Sequence, residues 1–110
     1  MATRSRIAIE NLDGTIESIY CHFDGYKSGV GEVLKTFYTD VDKIRELLSL
    51  GDLSSLDVTL DHTVAYSRDR GEDYNHNKAK VSSSIYSFKD LKEEYNYIFS
   101  LKDNKWRGIR

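Results

Sequence analysis

Tyr20, His22 and Asp24 alternate along the run Ile19-Tyr20-Cys21-His22-Phe23-Asp24-Gly25-Tyr26. Alternate residues of an extended chain project to one side. Together they offer an aromatic plane, a nitrogen that donates or accepts, and a carboxylate able to take hydroxyl protons from a ribose. A second run, Tyr66-Ser67-Arg68-Asp69-Arg70-Gly71-Glu72, adds the ring of Tyr66 and the planar guanidinium forks of Arg68 and Arg70. Such forks hold phosphate oxygens bidentately, which lysine cannot copy. Gly71 would let the backbone approach a ligand or turn sharply. The closing run Trp106-Arg107-Gly108-Ile109-Arg110 supplies two further arginines, Arg107 and Arg110. These eight residues, Tyr20, His22, Asp24, Tyr66, Arg68, Arg70, Arg107 and Arg110, are the candidate ligand contacts for a flat, charged small molecule.

Each has a plainer reading. Arg68 and Arg70 can pair with Asp69, Glu72 or Asp73 on a solvated loop, an arrangement contributing ~0–1 kcal/mol. Tyr20 and His22 can line a half-buried strand face, and Trp106 can sit in the core beside solvated arginines. No catalytic pattern competes with binding. Asp57, Asp61 and His62 match no defined zinc spacing. Cys21 and His22 are strand neighbours and point to opposite faces, so they form no Cys–His pair. Neither a phosphate-binding nor a dinucleotide-binding glycine pattern is present. The expectation is a binding protein: not an enzyme, with no cofactor and no metal.

The elements that must position these residues are short. Arg6–Glu10 and Ile16–Phe23 are β-rich runs separated by Asn11-Leu12-Asp13-Gly14, which suits a type I turn closing a G1-bulge hairpin. That register places Ile7 and Ile9 with Ile19, Cys21 and Phe23, and turns Arg6, Ala8, Tyr20 and His22 to the other face. Asp24 through Gly31 reads as a loop. Val30, Val33, Leu34 and Phe37 predict a helix over 31–38. Val41, Ile44, Leu47 and Leu48 predict another, with Thr39 or Asp40 as N-cap and Gly51 beyond its end. After it, 52–56 is turn-rich, 58–60 and 63–66 are strand candidates, and 68–78 reads as an exposed loop. Residues 80–86 are weakly strand-like, and 88–94 can form a helical turn capped by Ser87. Residues 95–101 and 106–110 read as a closing hairpin. The expected fold is one α+β domain over 1–110: an N-terminal β-hairpin, two short central helices and further antiparallel strands ending in a C-terminal hairpin.

Composition narrows the classes. A chain of 110 residues with formal net charge −2 has no global attraction for nucleic acid polymers. No apolar run approaches the ~18 residues of a membrane span. With Cys21 alone, no internal disulfide forms, which suits a reducing cytoplasm. Tyr, at eight copies, is suited to partly wet pockets and interfaces.

Four strings, Thr3-Arg4-Ser5-Arg6-Ile7-Ala8-Ile9-Glu10, Ser18 to Tyr26, Leu50-Gly51-Asp52-Leu53-Ser54-Ser55-Leu56, and Tyr66 to Glu72, resemble a small family of bacteriophage proteins. The chain is similar to the Thoeris anti-defence sponges, the first such family described. The resemblance spans most of residues 3–72 and weakens beyond. It implies sequestration, without cleavage, of a cyclic ADP-ribose isomer (glycocyclic ADP-ribose, gcADPR) made by a bacterial TIR-domain protein. It also implies a homodimer or higher homo-oligomer with pockets near the subunit interface, working in the cytoplasm of the infected host. Some members are linked to cyclic oligonucleotides of CBASS defence. The competing class is a phage protein–protein inhibitor of a host effector, anti-CRISPR-like, whose mark would be a single-sign patch or an apolar anchor cluster.

Overall fold

Strands β1 (Ser5–Glu10) and β2 (Ile16–Cys21) form the expected hairpin in the computed structural model, which describes residues 2–109. The turn closes by a Gly14 N–H to Asn11 carbonyl bond of 3.0 Å, with Gly14 at φ +90°, where a side chain would be strained. Ile7 pairs with Ile19 and Ser5 with Cys21, so Ile7, Ile9, Ile19 and Cys21 share one face. Phe23, expected with them, is 43% exposed, because β2 ends at Cys21 and the chain leaves the pleat before reaching it.

A wide turn at Lys27–Gly31, broken by the non-helical Gly29, leads into α1 (Glu32–Phe37), and α2 (Val41–Ser49) follows. Asp40 caps α2 by accepting from the Asp42 N–H at 3.2 Å. Gly51, at φ +79°, lets the chain reverse where any Cβ would stand 2.4 Å from the Asn77 carbonyl oxygen. Ile44, Leu47 and Leu48 of α2 are buried against the hairpin's apolar face together with Val30, Leu34 and Tyr38. Full burial of each such aliphatic chain contributes about 1.5–3 kcal/mol, so this face carries most of the core.

The second half departs from expectation in several places. Residues 52–56 hold β3 (Leu53–Ser55), while Val58–Leu60 is not a strand; β4 is only Val64–Ala65. The segment read as an exposed loop holds two single-turn helices, α3 (Tyr66–Arg70) and α4 (Tyr74–Asn77). Strand β5 (Lys80–Ser82) precedes α5 (Ile85–Phe88), which is capped by Ser84 rather than Ser87, and a 3-10 turn at Lys89–Leu91. The closing hairpin is β6 (Tyr95–Ser100) with β7 (Lys105–Ile109), as expected.

The sheet of seven strands runs β4-β3-β2-β1-β6-β7, with β5 pairing the start of β2. It is α+β but mixed: β1 pairs β6, and β2 pairs β3, in parallel. The sequence pattern predicts only antiparallel strands after the hairpin. The long excursion from β2 to β6 lets the chain re-enter the sheet beside β1 in the same direction, which a tight turn cannot do.

Register divides the sheet into two unlike faces. One carries Ile7, Ile9, Ile19, Cys21, Tyr97 and Phe99 under α1 and α2. The other carries a small core of Ala8, Ile16, Ile98 and Phe88 of α5. At the end of that second face nearest β3 the row is polar: Tyr20, Arg6 and Asn96 lie side by side across β2, β1 and β6.

Candidate functional site

Asp52 brings together the two runs singled out in the sequence. Its carboxylate accepts the Tyr20 N–H at 2.9 Å, and its carbonyl accepts the Tyr66 N–H at 3.2 Å. Its own N–H donates to the Asn77 carbonyl at 2.7 Å, anchoring the hub to α4. Tyr66 is thereby placed close enough to Tyr20 to act on its phenol. Burial pushes the Tyr20 phenol up; Arg4 pulls it down, and Glu93 and Tyr66 add to the rise. The Tyr20 hydroxyl lies 2.6 Å from His22 Nδ1. Arg70 extends the cluster by lying over the Tyr66 ring at 5.6 Å, a cation–π contact.

Arg6 lies beside Tyr20 as its cross-strand partner and is only 5% exposed. Its bonds go to one residue: Nε to Ser18 Oγ at 2.9 Å and Nη2 to the Ser18 carbonyl at 3.4 Å. A guanidinium has five N–H donors, and no acceptor among the described residues meets Nη1. No carboxylate among the described residues forms an ion pair with it. Asp52 and Glu93 favour its charge from farther off, but burial outweighs them and lowers its pKa. Among the described residues the only fully buried side-chain polar atom lacking a partner is Ser5 Oγ. Asn96 latches the neighbouring segment by accepting the Glu93 N–H at 2.8 Å and donating to the Glu93 and Ile109 carbonyls. A buried cation with open donors and no bonded anion is costly unless an anion completes it.

No protein-family model, curated protein or solved structure matches the chain. Tyr20, His22, Tyr66 and Arg70 come together as the sequence suggests. Arg6 and Asp52 join them, and neither stands out in the sequence, where Arg6 falls only on the face away from the core. The signal that could have found Asp52 is its position directly after the helix-ending Gly51.

The remaining candidates are elsewhere or occupied. Arg68 Nε and Nη2 hold Asp69, and Nη2 also donates to the carbonyls of Leu60 and Thr63 at 2.9 and 2.6 Å. Asp69 in turn accepts the Ala65 N–H at 2.8 Å, so the pair clamps the start of α3 onto the preceding loop. The hydrogen bond raises the Arg68 pKa and lowers that of Asp69. Asp24 does not continue the alternation of Tyr20 and His22. Its φ of +59° turns the chain away, and its carboxylate accepts the Tyr26 hydroxyl at 3.2 Å. Arg107 pairs with Asp103 at the tip of the closing hairpin. Arg110 lies outside the described residues.

Nucleophilic chemistry finds no support at Cys21, which is buried with its thiol pushed up to about 12. Among the described residues no three His, Cys, Asp or Glu side chains stand together as a metal site. No helix among them is long and apolar enough to cross a membrane.

Proposed function

We propose that this protein is a phage immune-evasion sponge that binds a cyclic ADP-ribose isomer such as gcADPR at the Arg6–Tyr20–Tyr66 site and holds it intact. The observation that carries the reading is the grouping of Tyr20 with His22 and Tyr66 next to Arg6, the buried cross-strand partner of Tyr20, whose donors are not all used. A pyrophosphate suits the open guanidinium edge and Arg70. The adenine suits the Tyr faces, and ribose hydroxyls suit His22 and the tyrosine hydroxyls. The resemblance of the strings around these same residues to the phage sponges points to the same ligand class. In this reading two protomers wrap the ligand, which gives one small chain enough contact for stoichiometric capture. A Kd near ~1 nM corresponds to about −12 kcal/mol.

Calorimetry with gcADPR tests the reading, combined with mass analysis of ligand released by heat. The expected result is tight binding by the wild type, return of the unchanged cyclic nucleotide, and binding weakened at least 100-fold in Arg6→Met. Linear ADP-ribose released at enzyme-like rates would make the protein a hydrolase. An absence of heat and of retained nucleotide well above micromolar concentration would overturn the proposal. Light scattering that shows only monomer at micromolar concentration would remove the two-protomer part of it.

A further inference from the structure

Strand β7 is the last in the sheet order, and none of the described strands pairs its outer edge. Its backbone N–H and C=O groups on that side are therefore open to a further strand. Three cavities of about 270, 230 and 290 Å³ follow one another along the flank of this strand. The first two share Lys27, Tyr97 and Gly108, and the second and third share Lys35 and Trp106. They make one groove, with β7 on one side and the Lys27–Gly31 turn and α1 on the other. Five residues at about 3.3 Å each make the strand long enough to receive a short extended segment.

The lining states what would fit. Lys27, Lys35 and Lys105 border the groove against a single acid, Glu32. None of the three lysines has an ion pair among the described residues. The floor is aromatic, and its polar tips are turned inward: Tyr97 donates its hydroxyl to the Gly25 carbonyl at 2.7 Å and Trp106 its indole N–H to the Tyr38 carbonyl at 2.8 Å. Those two rings therefore offer no free donor with which to read a nucleobase, while the open strand edge offers a ladder. Gly108 leaves a gap beside the Tyr97 ring, where an added Cβ would find nothing closer than 3.9 Å.

We infer that this groove binds an acidic, extended peptide segment of a partner protein by strand addition to β7. Alternate apolar side chains of the segment enter beside Tyr97 and Trp106, and its carboxylates meet Lys27, Lys35 and Lys105. Tyr97 and Trp106 belong to the opposite face of the sheet from Arg6 and Tyr20. The inference thus stands apart from the nucleotide reading, and each can fail alone.

The test is to pan a random nonapeptide library against the full-length chain and measure the recovered peptides by fluorescence polarisation and backbone amide shifts. Expected are peptides alternating aliphatic or aromatic residues with Asp or Glu, binding in the micromolar range and shifting the amides of 105–109. Gly108→Val should weaken them at least tenfold. An added Cβ there meets nothing closer than 3.9 Å, so the fold should be retained and gcADPR binding unchanged, which the amide spectrum of the variant checks. Lys27→Glu with Lys35→Glu, both exposed, should weaken them similarly. Four outcomes would overturn the inference: no enrichment, enrichment of basic sequences, displacement of the peptides by AMP, or β7 shifts that depend on protein concentration alone. The last would assign the edge to a second copy of this chain.

Discussion

The segment around Arg68 and the row around Arg6 use the same side chain in opposite ways. Arg68 lies at the surface in a string rich in polar residues, which marks it as a ligand contact on sequence grounds. Yet its Nε and Nη2 are taken by Asp69 and two backbone carbonyls. Arg6 sits inside a β-strand, is almost wholly buried, and has Ser18 alone as its hydrogen-bond partner. Residue type and exposure rank them one way, and the partners of their donors rank them the other. What separates a structural arginine from an anion-ready one is where its donors end, and that depends on residues distant in the chain. The same contrast holds for the two carboxylates beside them. Asp69 closes a local clamp, whereas Asp52 joins β2, α3 and α4 without an ion pair.

The largest expected effect calibrates both regions against the apolar face. Ile44→Ala leaves a cavity under the hairpin and should cost about 2–5 kcal/mol in urea unfolding. A cost below about 1 kcal/mol would mean that α2 is not what holds the β1–β2 hairpin in place.

Next comes the contrast itself. Arg68→Ala should lose about 1–2 kcal/mol of stability, because it strips charge-assisted bonds from two carbonyls and Asp69 at a partly exposed site. Nucleotide affinity should not change. Arg6→Met should do the reverse. Losing the bonds to buried Ser18 is offset by removing a desolvated charge with no bonded carboxylate, so an apolar chain of similar length should leave stability within about 1 kcal/mol of wild type, while gcADPR binding is lost. If Arg68→Ala abolishes binding and Arg6→Met unfolds the protein, the roles assigned to the two arginines are exchanged.

Much of the scaffold was legible because its signals are local. Asn11 to Gly14 specify their turn by themselves, and the stripe Val41, Ile44, Leu47 and Leu48 fixes which side of α2 is buried. The register that separates Ile7 and Ile19 from Arg6 and Tyr20 follows from those two facts. Strand β3 was hidden because Leu53 has Cys21 as its parallel partner, a contact made across α1 and α2. Helix α3 was hidden because Tyr66–Arg70 carries no apolar stripe and is held by the Arg68–Asp69 clamp. Arg6 has as its parallel partner Asn96, some 90 residues downstream in the chain, and Asn96 in turn holds Glu93. That is why the sequence places Tyr20, His22 and Tyr66 among the candidates but cannot show that Arg6, beside Tyr20, is buried with donors unused.

The smallest expected effect is in pH dependence, and it has opposite signs in the two regions. At Asp69 the bond from Arg68 lowers the folded pKa. The folded state then binds that proton more weakly than the unfolded chain, whose carboxylate titrates near ~3.9. The stability is present above that value and is lost as pH falls through the folded pKa. At Asp52 burial raises the folded pKa, against the Tyr20 N–H bond and the charges of Arg6 and Lys80. The folded state binds this proton more tightly, so its contribution is full below ~3.9 and is lost as pH rises through the folded pKa. Asp52→Asn keeps Oδ1 as an acceptor for Tyr20 and removes the charge. It should therefore stabilise the protein at about pH 7 relative to wild type and converge with it near pH ~3. Asp69→Asn should instead destabilise at neutral pH and converge at the acid end. Urea midpoints from about pH 2.5 to 7 for the three proteins decide the matter. A destabilised Asp52→Asn at neutral pH would show that attraction from Arg6 and Lys80 outweighs burial. Asp52 would then be a counter-ion to Arg6, and the anion-ready reading of that arginine would fall with it.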